Sequence, residues 1–189
     1  MESGRIERQF SDEQDLHRYL MECDEITYAS YVDDVYKKVL LLSAASYFET
    51  VISNAIISFV RNAASADSRV AVLVEKKALS RQYHTLFQWG QNNSNSFWAL
   101  FGDETKKKVR KLIDSSEEMK QAEVDFLDVG NRRNLLVHEN FSEYNVNITV
   151  EEIYKKYRSA CKFIGLIQIV LKPTFLKSDM SLKGFEESS

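Results

Sequence analysis

Between Met1 and Lys172 this chain contains no proline, and Pro173 is the single proline among its 189 residues. Glycine is scarce too, with six copies. Strand-rich folds reverse the chain often and need such punctuation; a chain without it runs in long helices joined by short polar loops. The expected fold is therefore all-α: a helical bundle with a long central helix and peripheral short helices. One domain is expected over residues 1–175, with a flexible tail over 176–189. Hydrophobic residues make up 44% and charged residues 28%, enough for a core of ordinary size.

The apolar pattern divides the chain further. Ser11 to Cys23 reads as a peripheral helix, with Ser11 or Asp12 as its cap. Tyr31 to Asn62 reads as the central helix, apolar around most of its circumference. It leaves a seam of Ser43, Ser46, Thr50, Ser53 and Asn54, with Glu49 at the edge, where another helix could approach closely. So many polar groups in few turns argue against a lipid-facing span over 39–60. A third helix is expected over 69–83, and QNNSNS, 91–96, reads as a solvated turn. FWALF, 97–101, reads as a short helix ended by Gly102, and Asp103 as the cap of a basic helix. The last two helices are expected over 117–140, loosened at Gly130, and over 150–171, before Pro173.

The formal charge is −3, which argues against a protein that coats nucleic acid through its overall field but leaves room for a local groove. Cys23 and Cys161 lie far apart without CxxC spacing, pointing to a reduced, cytoplasmic chain. His17, His84 and His138 show no ligand spacing, so no metal and no cofactor is expected. The N-terminal residues MESGRIERQFSDEQD lack the apolar core of a signal peptide, and no membrane attachment is expected.

One stretch carries chemistry: RRNLLVHENF, 132–141. At roughly 100° per residue, Phe126, Val129, Leu136 and Val137 fall on one helical stripe with Arg133 in its middle. An unpaired guanidinium buried there would cost several kcal/mol. Arg133 therefore has a buried partner, snorkels at the stripe's edge, or lines an interface or cleft. Asn134 and His138, four residues apart, share the neighbouring face. An imidazole titrates near pH ~6.5 when unperturbed, so His138 is suited to proton transfer.

Arg133-Asn134-Leu135-Leu136-Val137-His138 resembles the Arg-(four to six residues)-His motif of the HEPN superfamily, the helical domains of many RNase toxins and RNA-targeting defence effectors. The resemblance covers about 32–171 in architecture. RNLLVH and Phe48-Glu49-Thr50-Val51 also resemble the HEPN group found beside RiboL-PSP genes. It implies a metal-independent endoribonuclease acting on RNA as a toxin or antiphage effector, with a cognate antitoxin or defence-operon partner. It further implies a homodimer whose two motifs form one composite site. Arg133 and His138 would be catalytic, Asn134 would orient the histidine or the phosphate, and Glu49 would hold the arginine. In HEPN toxins neutralised by a nucleotidyltransferase, a tyrosine follows the histidine by two positions; here that position is Asn140, which puts that neutralisation in doubt.

The basic run Lys106, Lys107, Lys108, Arg110 and Lys111 is a candidate RNA track, although Asp103, Glu104 and Asp114 flank it. His17 and His84 are expected to lie away from the site, which is why a second protomer is expected to supply the second histidine. The alternative is a non-catalytic HEPN-like scaffold or immunity subunit that binds a protein or nucleotide.

Overall fold

The computed structural model describes residues 3–64, 68–80, 82–139, 141 and 143–175. Asn140 and the tail expected from 176 onward lie outside the described residues. Seven α-helices and no strand occur among them: α1 (Ser3–Glu22), α2 (Ile26–Ala63), α3 (Ser68–Val74), α4 (Asn95–Ala99), α5 (Asp103–Asp114), α6 (Glu117–His138) and α7 (Val150–Val170). The all-α fold is as the scarcity of turn residues implied.

α2 is the axis of the bundle, and α1, α6 and α7 pack along it while α6 and α7 pack on each other. Its length and composition would let it cross a membrane, but here Leu41, Ala44, Phe48 and Ile52 are buried by neighbouring helices. Aromatic rings fill the centre. Phe48 of α2 lies 5.6 Å from Phe126 of α6 and 5.8 Å from Tyr157 of α7, and Phe126 lies 5.2 Å from Phe163. Truncating one such buried ring to alanine costs about 3–5 kcal/mol, so this cluster fixes how α6 sits on the bundle.

α6, which carries the motif, and α7, which packs on it, have defined starts. Ser116 accepts the Met119 N–H at 3.2 Å, and Glu117 and Glu118 occupy the positive end of the α6 dipole. Thr149 and Glu152 form a reciprocal capping box at the start of α7.

Several expected boundaries move, each because tertiary contacts override local pattern. α1 begins at Ser3 rather than Ser11, since Ile6 is buried and Phe10 stacks on Tyr154 at 4.0 Å. Ser11 lies inside that helix and caps nothing. α2 starts at Ile26, five residues before the expected Tyr31, after a tight turn in which Asp24 takes φ 61°. The small-residue seam of α2 is not a close helix contact: Ser46, Thr50 and Asn54 are exposed. The third helix stops at Val74, passes through a π-turn over Glu75–Leu79 and leaves helical geometry at Ser80. Asp103 is the first residue of α5, whose cap position is Gly102 at φ 94°.

Candidate functional site

The buried stripe of α6 runs out before the helix does. Phe126, Val129 and Leu136 are at most 1% exposed, whereas Val137, on the same azimuth, is 52% exposed. The last turn of α6 thus passes the edge of the bundle. Arg133 sits at that edge, half-buried, and His138 is exposed at the final helical position. The chain beyond is tied back to α2: buried Lys38, paired with Asp34 at 2.9 Å, stands 5.4 Å over the ring of Phe141.

Arg133 lines a narrow pocket between α2, α6 and the connector that follows α3. Glu49, Tyr83, His84, Trp89 and Asn134 line it too, over an apolar floor that includes Phe48 and Phe126. The volume open to a water's centre is about 10 Å³. That is close to the minimum for one water molecule and far too small for a nucleotide. The pocket is therefore a seat for polar side chains, and any larger ligand must lie over its rim.

Within the seat, the Arg133 guanidinium donates through Nη1 to Asn134 Oδ1 at 3.2 Å. Glu49 lines the same pocket but does not hold Arg133 as the resemblance implies: no ion pair within 4 Å joins the two. Their fields meet at Tyr83: burial pushes its hydroxyl well above the ordinary tyrosine range, the Glu49 carboxylate adds to the rise and Arg133 opposes it. Tyr83 is therefore a neutral hydroxyl throughout the working pH range. The His138 side chain makes no hydrogen bond or ion pair among the described residues. Asn134 is bonded to Arg133 and not to His138.

The neighbouring Arg132 has a different task. It donates to Asp128 at 2.8 Å and to Asn147 Oδ1 at 2.8 Å, which ties α6 to the linker before α7. Lys156 of α7 bridges Asp125 at 3.1 Å and Asp128 at 3.2 Å on the same side.

His84 is the residue that sequence reasoning misplaced. It was expected away from the motif, at the end of the third helix, yet it lines the pocket with Arg133 and Asn134 and is exposed. The π-turn and the short 3₁₀ turn over Tyr83–Thr85 redirect the connector onto α6. Trp89 pins it there. Its indole N–H donates to the His84 carbonyl at 2.8 Å, and its ring lies over Gly130. A Cβ at position 130 would meet that ring at 2.0 Å, so glycine is required for the close approach. Gly130 does not loosen α6, which runs unbroken through it; it is a notch for Trp89. A tryptophan five residues beyond a histidine, opposite a glycine three before an arginine, was the available signal.

Two of the five residues of the basic run are committed elsewhere. Arg110 donates to buried Glu123 at 3.0 Å and to Asp114 at 3.0 Å. Glu123 also receives the Ser94 N–H at 2.8 Å and the Ser94 hydroxyl at 2.5 Å. Ser94 is fully buried, so the end of QNNSNS is an internal anchor rather than a solvated turn. Lys108 donates to the Phe175 carbonyl at 2.8 Å. Lys107 and Lys111 are exposed and Lys106 is half-buried. Glu123 precedes Arg133 by ten residues on α6, roughly 15 Å of helix rise, so α5 packs well back from the motif. Among the described residues no group of three His, Cys, Asp or Glu side chains is placed to hold a metal ion.

A family model described as RiboL-PSP-HEPN matches residues 11–172. No curated protein and no solved structure matches the chain.

Proposed function

Since the chain belongs to the RiboL-PSP-HEPN family, we propose that it is a metal-independent endoribonuclease of a toxin or antiphage defence system. The observation that carries the reading is the placement of Arg133. Its guanidinium bonds Asn134 beside a narrow, mostly apolar pocket at the edge of the bundle, with exposed His138 five residues, about 1.4 turns, further along α6. In the proposed reaction, a ribose 2′-hydroxyl loses its proton to an imidazole and attacks the adjacent phosphate. The guanidinium stabilises the phosphorane, and the 5′-oxygen leaves after protonation. The products are a 2′,3′-cyclic phosphate and a 5′-hydroxyl.

A homodimer is part of this reading. Val137 and Phe141 are exposed apolar groups at the uncovered end of the motif helix, and a two-fold partner would bury them while bringing two motifs together. Cytoplasmic RNA as substrate and a neutralising partner encoded nearby complete the proposal.

The test is RNA cleavage by purified protein, by Arg133→Ala and by His138→Ala, with end-group analysis of the products. Both variants should retain their thermal midpoint and lose cleavage by at least about 10²-fold. Parent-like cleavage by both would remove the assignment. One observation favours a second reading, a non-catalytic HEPN scaffold: net charge is −3, and Arg110 and Lys108 are spent on internal bonds rather than on an RNA track. A scaffold would be harmless when expressed in bacteria, whereas the ribonuclease would be tolerated only with its motif mutated.

A further inference from the structure

A single histidine cannot accept one proton and deliver another in the same displacement, so a transesterification site needs a second proton-transfer group. We infer that His84, on the connector after α3, is that group and works in the same protomer as the Arg133 beside it. The inference rests on the proposed ribonuclease activity and adds a residue from outside the motif.

Three observations carry it. His84 lines the same pocket as Arg133 and Asn134, so an imidazole-bearing residue stands at the rim beside the cation expected on the phosphorane. The side chain is exposed while its backbone is fixed, because the Trp89 indole N–H holds the His84 carbonyl at 2.8 Å. The Trp89 ring in turn occupies the notch at Gly130, one turn before Arg133, so the connector and the motif helix are locked in a set relation. A solvent-facing histidine on an otherwise free loop would have no such anchor. His138, the last residue of α6, stands five positions after Arg133 on the same helix.

The protons balance. One imidazole, neutral at the start, takes the 2′-hydroxyl proton as the 2′-oxygen–phosphorus bond forms. The other, protonated at the start, gives its proton to the 5′-oxygen as the phosphorus–5′-oxygen bond breaks. The two exchange states, and solvent resets them before the next turnover.

The test uses the full chain in single-turnover cleavage of an RNA oligonucleotide and of the same oligonucleotide with sulfur replacing the leaving 5′-oxygen. A thiolate leaves without protonation, so loss of the acid is rescued on the sulfur substrate and loss of the base is not. His84→Ala should cut ordinary RNA about 10²–10⁴-fold more slowly than the parent, with an unchanged melting midpoint because the side chain is exposed. Of His84→Ala and His138→Ala, one should recover to within about tenfold of the parent on the sulfur substrate and the other should not. Mixed dimers of His84→Ala and Arg133→Ala protomers should remain inactive, because neither protomer holds both groups. Parent-like cleavage by His84→Ala, an identical response of both histidine variants to sulfur, or restored activity in the mixed dimers overturns the inference. If His84→Ala cleaves normally while Arg133→Ala and His138→Ala do not, the ribonuclease reading stands and this one falls. If the parent cleaves neither substrate, both fall.

Discussion

The indole of Trp89 occupies the space that a side chain at Gly130 would need, and together with the ring of Phe87, 4.9 Å from Phe126, it sets the position of the connector against the motif helix. Replacing Gly130 by alanine should therefore do more than add a methyl group to a helix. The new Cβ collides with the ring, Trp89 has to leave, and the bond to the His84 carbonyl is lost with it. Overpacking of this kind costs about 1–3 kcal/mol. Thermal unfolding should show that loss, tryptophan emission should shift to the red, and RNA cleavage should fall although no motif residue has changed. An unshifted emission spectrum would contradict the account.

The two adjacent arginines should separate cleanly. Arg132→Ala removes bonds to Asp128 and Asn147 and should lower stability by about 1–2 kcal/mol while leaving cleavage within a fewfold of the parent. Arg133→Ala should do the reverse. Paired melting and cleavage assays read both effects from the same preparations.

Arg110 provides a check on the basic run. Its removal strands the buried Glu123 carboxylate and should cost about 3 kcal/mol, at the lower end of the range for a broken buried pair because the arginine itself is partly exposed. RNA affinity at a temperature where the variant is folded should not change. Lys107→Glu combined with Lys111→Glu, both exposed, should leave stability within about 0.5 kcal/mol of the parent. A large loss of RNA affinity in that double variant would return the run to the binding surface.

Lys156 gives a pH signature. Burial alone would lower its pKa, but the bonds to Asp125 and Asp128 outweigh it and hold the ammonium above the ordinary lysine value. The folded state therefore binds this proton more tightly than the unfolded state does. The resulting stabilisation is fully present below the unfolded lysine pKa, near ~10.4, and is lost as pH rises through the higher folded value. Lys156→Gln should be less stable than the parent by about 2 kcal/mol at neutral pH. The gap should hold to about pH 10 and close above it, as urea titrations at a series of pH values would show.

Oligomeric state is tested at Val137. Its 52% exposure on the core azimuth leaves the monomer little to lose, so Val137→Asp should keep the melting transition of the isolated chain. Sedimentation equilibrium should show the parent as a dimer and the variant as a monomer. A parent that remains monomeric at high protein concentration removes the dimer from the proposal.

The sequence carried the helical class, the central place of α2 and the special position of Arg133, because each rests on local period and composition. It did not carry His84. Helical spacing alone places that residue at the end of an ordinary helix, and only the π-turn, the 3₁₀ turn and the Trp89 contact bring it beside the motif. Ser94 was misread for the same reason: a run of small polar residues looks solvated until a buried partner such as Glu123 is known. Val137 shows the converse. Its azimuth is apolar, but azimuth does not report where along the helix the bundle stops.

The seat of Arg133 draws Glu49 from α2, His84 from the connector and Arg133 itself from α6, and α7 closes the core beneath them through Tyr157 and Phe163. During synthesis α7 is the last of these pieces to leave the ribosome. A nascent chain that ends before Val150 holds every motif residue but lacks the helix that presses α6 against α2. On the ribonuclease reading, cleaving activity should therefore emerge only once α7 has packed against α2 and α6.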